Sequence, residues 1–252
     1  MKVFIISVEH KESPRLKNFL NQSFFQDKAI HYEIIGIKGA DLPTKEYFEM
    51  AVKGREKPLT PGELGCTLSH LEALKRFLNS KEDYALILED DAIIPDDLNE
   101  DIIYKTVKSI NLPANILFSL GGIQMKVCRN VRGKIQPYTF LNQSILKVSP
   151  HFYNRVNYTV AYIVDRVMAE TLLHYHEPIR RADDWSYLHD FDSTSQILMT
   201  HLFDHPIVEK YGDNKGVSLI QHERDCSADL KTSNFGGFLS KNLAKIFNHK
   251  YK

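Results

Sequence analysis

Residues 60–91 read TPGELGCTLSHLEALKRFLNSKEDYALILEDD, and this stretch decides the fold. Thr60 is a preferred N-cap residue, Pro61 suits the first helical position, and Glu63 stands three residues after the cap. Together they form a capping box that opens a helix. Leu64, Leu68, Leu71, Leu74 and Leu78 then repeat at helical spacing. Tyr84 to Leu88 is a continuous apolar run, as in a parallel strand covered on both faces. It stops abruptly at Glu89-Asp90-Asp91.

The pattern extends in both directions. Upstream, Val3 to Val8 reads as a buried strand, and Ser13-Pro14 opens a helix carrying Leu16, Phe19 and Leu20. Tyr32 to Ile37 reads as a second strand, closed by Gly36 and Gly39. Downstream, a helix is expected near 97–109 and a strand over 115–120. Short β runs follow over 123–149, with a turn at Arg132-Gly133. A strand over 159–164 leads into a helix capped by Asp165. Strands alternating with helices predict an α/β fold with a mixed central sheet. No repeat or linker divides the chain, so residues 1–230 read as one domain, followed by a basic amphipathic tail over 231–252.

Composition excludes several classes. Of the 252 residues, 43% are apolar, which argues against disorder. The net charge is zero and the pI is about 7.2, so a nucleic-acid partner is not expected. Charge is nonetheless uneven: the tail holds five lysines and no acid, and the first 230 residues carry 27 basic against 32 acidic residues. Cys66, Cys128 and Cys226 form no CxxC pair and read as reduced thiols. The N-terminal apolar run is too short for a secretory leader, and no window is apolar enough to span a membrane. A cytoplasmic protein is expected. In the tail, Leu239, Leu243, Ile246 and Phe247 recur at helical spacing among lysines. This reads either as a helix docked on the body or as one lying on an anionic membrane surface.

Three carboxylates at the end of a core strand repel one another unless a cation binds or water reaches them. Hard divalent cations such as Mn²⁺ or Mg²⁺ take oxygen ligands from carboxylates of this kind. On strand alternation Glu89 and Asp91 share a face while Asp90 points away. A solvated strand end or helix-capping acids are the plainer reading of the triplet. Ser7 and Arg15 fall at the first strand–helix junction, where a nucleotide lies in a Rossmann-like half. Asp183 and Asp184 directly precede the chain's one tryptophan, Trp185, and follow Arg180 and Arg181. A loop acid pairing with those arginines is the alternative there.

Leu59 to Leu71 together with Leu86 to Ala92 resembles the signature of glycosyltransferase family 25. This family includes lipopolysaccharide and lipooligosaccharide hexosyltransferases of Gram-negative bacteria. Pro14-Arg15-Leu16, Gly39-Ala40-Asp41 and Asp184-Trp185 match in the same order, and the resemblance covers roughly residues 1–190. It implies a GT-A fold with a Rossmann-like nucleotide-binding half. It also implies inverting transfer of galactose, or alternatively glucose, from a UDP-sugar to a lipid-linked oligosaccharide acceptor. The enzyme would work at the inner face of the inner membrane, in peripheral contact with anionic lipid. Implied further is a divalent metal on a DxD-type motif, here Glu89-Asp90-Asp91, with Glu in place of the first Asp. Asp91 would hold the metal, and Glu89 would reach it through water or contact the ribose. Asp90, Ser69 and His70 are assigned to the donor, Asp184 to the general base, and Asp183 stands beside it as the alternative. The GT-A fold also suggests a third metal ligand from a C-terminal segment, for which His222 is the candidate, with His174, His176, His189, His201 and His205 competing. Two other readings share these residues: a sugar-nucleotide-binding protein without catalysis, and a metal-dependent phosphohydrolase.

Overall fold

The computed structural model describes residues 1–27, 30–206 and 237–251. Strand β1 (Lys2–Ile6) leads to helix α1 (Pro14–Leu20) and strand β2 (Tyr32–Ile35). A short helix α2 (Thr44–Tyr47) runs into a π turn over Phe48–Val52, and helix α3 (Pro61–Leu78) follows. Next come β3 (Tyr84–Glu89), α4 (Glu100–Ser109), β4 (Ile116–Gly121), β5 (Arg132–Phe140) and β6 (Gln143–Val148). Strand β7 (Ala161–Asp165), α5 (Arg166–Tyr175), a short helix α6 (Leu188–Phe191), β8 (Gln196–Phe203), a helix over Gly237–Phe247 and β9 (His249–Lys250) complete the order of the described residues.

Among the described residues, nine strands form one mixed sheet in the order β2-β1-β3-β7-β4-β8-β6-β5-β9. β2, β1 and β3 are mutually parallel, and β7 runs antiparallel between β3 and β4. Alternation along the strands builds two cores. Phe4, Ile6, Ala85 and Ile87 face α3 and α5, meeting Leu74, Phe77, Met168 and Leu172. Val3, Ile5, Leu86 and Leu88 face the other way, onto Leu16, Phe19, Ile103 and Val107 of α1 and α4. A strand apolar on every residue therefore has a helix layer on each face.

The signals that shape α3 and α5 are local and form as expected. Thr60 Oγ1 accepts from the Glu63 amide while Glu63 Oε2 accepts from the Thr60 amide, closing the capping box. Asp165 caps α5 by accepting from the Met168 amide. One expectation fails: Arg132-Gly133 is no turn but the start of β5, pairing with β6 and, through Lys250 and His249, with β9. The hairpin turn lies at Leu141-Asn142, both with positive φ.

The helix Gly237–Phe247 lies against the body through buried Ala244, through His151 Nε2 at 2.6 Å from Ser240 Oγ, and through the Arg132 guanidinium donating to the Lys245 carbonyl. Phe238, Leu239, Leu243, Ile246 and Phe247 remain exposed. Among the described residues no helix is long and apolar enough to cross a membrane.

Candidate active site

β1, β2 and β3 point the same way, so their carboxyl ends share one edge of the sheet. β1 lies between the other two, and the chain leaves it to one side and returns on the other. In open α/β sheets such a reversal opens a crevice outside the strand ends, where ligands bind. Here a pocket of about 250 Å³ opens at that point, lined by Ser7, Arg15, Lys38–Ala40, the first three turns of α3 and the carboxylates of residues 89–91. α3 approaches the loop after β2 so closely that only glycine fits at the contact. A Cβ on Gly65 would stand 2.5 Å from the Ile37 carbonyl oxygen, and one on Gly39 would overlap the Pro61 carbonyl. This brings the positive end of the α3 dipole to the pocket wall.

The acidic triplet does not follow strand alternation, because β3 ends at Glu89 and Asp90-Asp91 lie in the turn beyond it. The three carboxylates point in three directions. Asp90 is buried: Ser7 Oγ donates to its Oδ2 at 2.5 Å, and Arg15 Nη2 and Nε lie 2.5 and 2.7 Å from its Oδ1. Burial nevertheless holds the Asp90 pKa above its ordinary value, against the pull of Arg15 and Ser7. The Asp90–Ser7–Arg15 cluster thus joins the ends of β3 and β1 to α1, and all three residues line the pocket.

Asp91 Oδ2 takes Arg15 Nη2 at 3.0 Å and faces His205 Nε2 at 3.5 Å. Burial alone would raise the Asp91 pKa, but His205 and Arg15 hold it below the usual carboxylate value. His205 responds in the opposite sense, since its contact with Asp91 outweighs desolvation and raises its pKa. Asp91 Oδ1 is buried and makes no hydrogen bond. An anionic oxygen left unsatisfied on a residue that lines the pocket suits a hard cation, so the residues present fit a divalent metal at Asp91. Asp90 does not offer the same, because both of its oxygens are engaged.

Glu89 turns toward β7 and α3. Thr159 Oγ1 donates to its Oε1, and His70 Nε2 stands 3.5 Å from the same oxygen. His70 is buried, with Nδ1 2.8 Å from the Tyr162 hydroxyl. Ser69, also assigned to the donor from sequence, lines the pocket but has its hydroxyl engaged twice: it accepts from the Ile37 amide and donates to the Gly65 carbonyl. That geometry laces α3 to the loop after β2.

Asp183 and Asp184 lie outside the pocket lining, in the segment that follows α5. The segment crosses α3, where Thr67 Oγ1 donates to the Arg180 carbonyl at 2.9 Å and Arg181 Nη1 stands 3.8 Å from Glu63 Oε1. Arg180 stacks over the Tyr175 ring, and Trp185 packs into the core with its ring edge-on to His176. Asp184 Oδ1 accepts from the Ser186 amide. His176 is buried between the charges of Arg180 and Asp184 and also senses His70. Burial first, then Arg180, push its pKa down to about 4. His222 lies outside the described residues.

Sequence reasoning named His205 only as one of several histidines competing with His222 for the metal, and it missed Thr159 and Tyr162. Each reaches the site from the far half of the chain, and no local spacing connects them to residues 89–91. Another cavity, of about 350 Å³, opens near the N-terminal ends of β4 and β8 between Lys147, Tyr153, His189 and Ser195. It is lined by no carboxylate, so it lacks the charged constellation of the first.

Comparison with protein families matches residues 1–187 to glycosyltransferase family 25, described as an LPS biosynthesis protein. No curated protein matches the chain in sequence.

Proposed function

The chain belongs to glycosyltransferase family 25, and from that premise we propose an inverting UDP-hexose transferase of the GT-A fold. The hexose is galactose, or alternatively glucose, and the acceptor is a lipid-linked lipooligosaccharide or lipopolysaccharide sugar. One observation carries this reading: the pocket between β1 and β3 gathers three carboxylates, Arg15 and the first turns of α3 at the carboxyl ends of parallel strands.

The residues divide the work. Ser7, Asp90 and Arg15 fix the pocket floor, so the donor meets a preorganised wall. The N-terminal end of α3 favours the anionic diphosphate. Asp91 would hold a divalent cation, Mn²⁺ or Mg²⁺, with Glu89 on the same pocket. Such a cation, when bound, offsets the charge that develops on the departing UDP. Inversion requires a base on the opposite side of the anomeric carbon, and Asp184 accepts the acceptor hydroxyl's proton in this reading, with Asp183 as the alternative. Support comes from the anchoring of that segment on α3, beside His70. Residues 1–230 form the catalytic unit, and the exposed apolar stripe of the C-terminal helix with its lysines rests on anionic lipid at the cytoplasmic face of the inner membrane.

The test is transfer of labelled hexose from UDP-galactose and UDP-glucose to a lipooligosaccharide acceptor, with and without Mn²⁺. Metal-dependent transfer that falls by ~10²–10³-fold in Asp91→Asn is expected. Transfer by the variant at wild-type rates in limiting Mn²⁺ would remove Asp91 from the metal site.

A further inference from the structure

Besides the carboxylate oxygen at Asp91, α3 presents a second donor set, which meets Glu89. Cys66 and His70 are four residues apart and so share a face of the helix, which meets Glu89 at the end of β3. The Cys66 Sγ, a ring nitrogen of His70 and a carboxylate oxygen of Glu89 all lie within 4.8 Å of one another. Among the described residues no other group of three His, Cys, Asp or Glu side chains closes in this way.

The imidazole supplies the independent observation. His70 is 4% exposed, yet its Nε2 makes no hydrogen bond and points at Glu89 Oε1 from 3.5 Å. Two ligand atoms each ~2.0–2.2 Å from a tetrahedral ion stand ~3.3–3.6 Å apart, so the observed gap has the width of a bridging cation. The remaining atoms orient these ligands. The Tyr162 hydroxyl holds Nδ1 at 2.8 Å, and with Nδ1–H as the donor the Nε2 lone pair faces the site. Thr159 Oγ1 donates to the Glu89 carboxylate and fixes its rotation. Cys66 and Glu89 both line the pocket, which leaves a fourth position open on that side.

We propose that Cys66, His70 and Glu89 form a binding site for a thiophilic divalent cation of the zinc class, separate from the oxygen site at Asp91. A sulfur–nitrogen–oxygen set favours zinc over magnesium or manganese, whereas a lone carboxylate oxygen favours the reverse. Because two of its ligands line the donor pocket, the occupied site ties α3 to β3 next to bound donor. This inference does not depend on sugar transfer.

Equilibrium dialysis of the full chain against zinc, followed by cobalt substitution and ultraviolet–visible spectroscopy, tests it. One tightly held zinc per chain is expected, and the cobalt form should show a thiolate-to-cobalt charge-transfer band. Cys66→Ser should abolish that band and weaken zinc binding by at least ~10²-fold, with far-ultraviolet circular dichroism unchanged. Tyr162→Phe, which removes only the orienting hydroxyl, should weaken it ~10–100-fold. Asp91→Asn should bind zinc as wild type does. Absence of zinc binding, a cobalt spectrum without the thiolate band, or equal affinity in Cys66→Ser would overturn the proposal. Neither readout involves transfer, so such a failure leaves the glycosyltransferase reading to its own assay.

Discussion

Arg15 Nη2 lies 2.5 Å from Asp90 Oδ1, a cation from the first turn of α1 set against a buried carboxylate beyond the end of β3. The same guanidinium reaches Asp91 at 3.0 Å. A protein-supplied cation thus neutralises the inner part of the triplet and leaves the outer carboxylate with one oxygen unsatisfied. The triplet is therefore divided between holding the strand ends together and facing the pocket.

Removing Arg15 leaves Asp90 as an uncompensated buried charge. Arg15→Gln is expected to destabilise the protein by ~2–4 kcal/mol, the range for breaking a largely buried pair, reduced for the partial exposure of the arginine. Combining it with Asp90→Asn should recover most of that loss. Chemical denaturation of the two single variants and the double variant measures the coupling; additive losses would show that the pair contributes nothing.

The Asp91–His205 contact gives a pH signature. His205 has a raised pKa in the folded protein, so its contribution is complete below its unfolded value of ~6.5 and disappears as the pH climbs through the raised value. Asp91 has a lowered pKa, so its contribution is present above ~3.9 and disappears as the pH falls through the lowered value. The Tm difference between wild type and His205→Gln should be largest near pH ~5–6, at ~2–4 °C for about 1 kcal/mol, and should close at alkaline pH. A difference that grows with rising pH would reverse the assignment.

Asp184→Asn keeps the oxygen that accepts from the Ser186 amide and removes the proton-accepting charge. Transfer is expected to fall by ~10²–10⁴-fold, while affinity for the sugar nucleotide stays close to wild type. If Asp183→Asn is inactive and Asp184→Asn is not, the base is Asp183. Full activity in both would place the base elsewhere in the chain.

The C-terminal helix is best tested by point substitution, since β9 pairs with β5 and Tyr251 accepts from the His201 amide, so truncation would disturb the sheet. Leu239 and Ile246 are 77% and 73% exposed. Leu239→Glu and Ile246→Glu should therefore leave stability within ~0.5 kcal/mol. Both should reduce sedimentation with anionic vesicles, in a manner that salt accentuates. Unchanged vesicle binding would leave the helix a structural role alone.

What was legible in the sequence follows from the range of each signal. The capping box at Thr60 and Glu63 and the Asp165 cap are contained within four residues, and both formed as read. The buried character of β3 was legible because all of its apolar residues contact one of two helix layers. The direction of each carboxylate was not, because alternation ends with the strand at Glu89 and the partners Ser7, Arg15, Thr159 and His205 are distant in sequence. Arg132-Gly133 looked like a turn for a similar reason: its pairing with β6 and with the end of the chain is set by contacts distant in sequence. Ser69 carries a family-like motif position, yet its hydroxyl is taken up in joining α3 to the loop after β2, a use visible only once those elements meet.

The most direct measurement is a crystal structure with a UDP-hexose and Mn²⁺. The account predicts the diphosphate in the pocket between Ser7, Gly39 and Gly65, with the ion ~2.0–2.3 Å from an Asp91 carboxylate oxygen. A sugar nucleotide bound instead in the cavity between Lys147, Tyr153 and His189, with the first pocket empty, would contradict it.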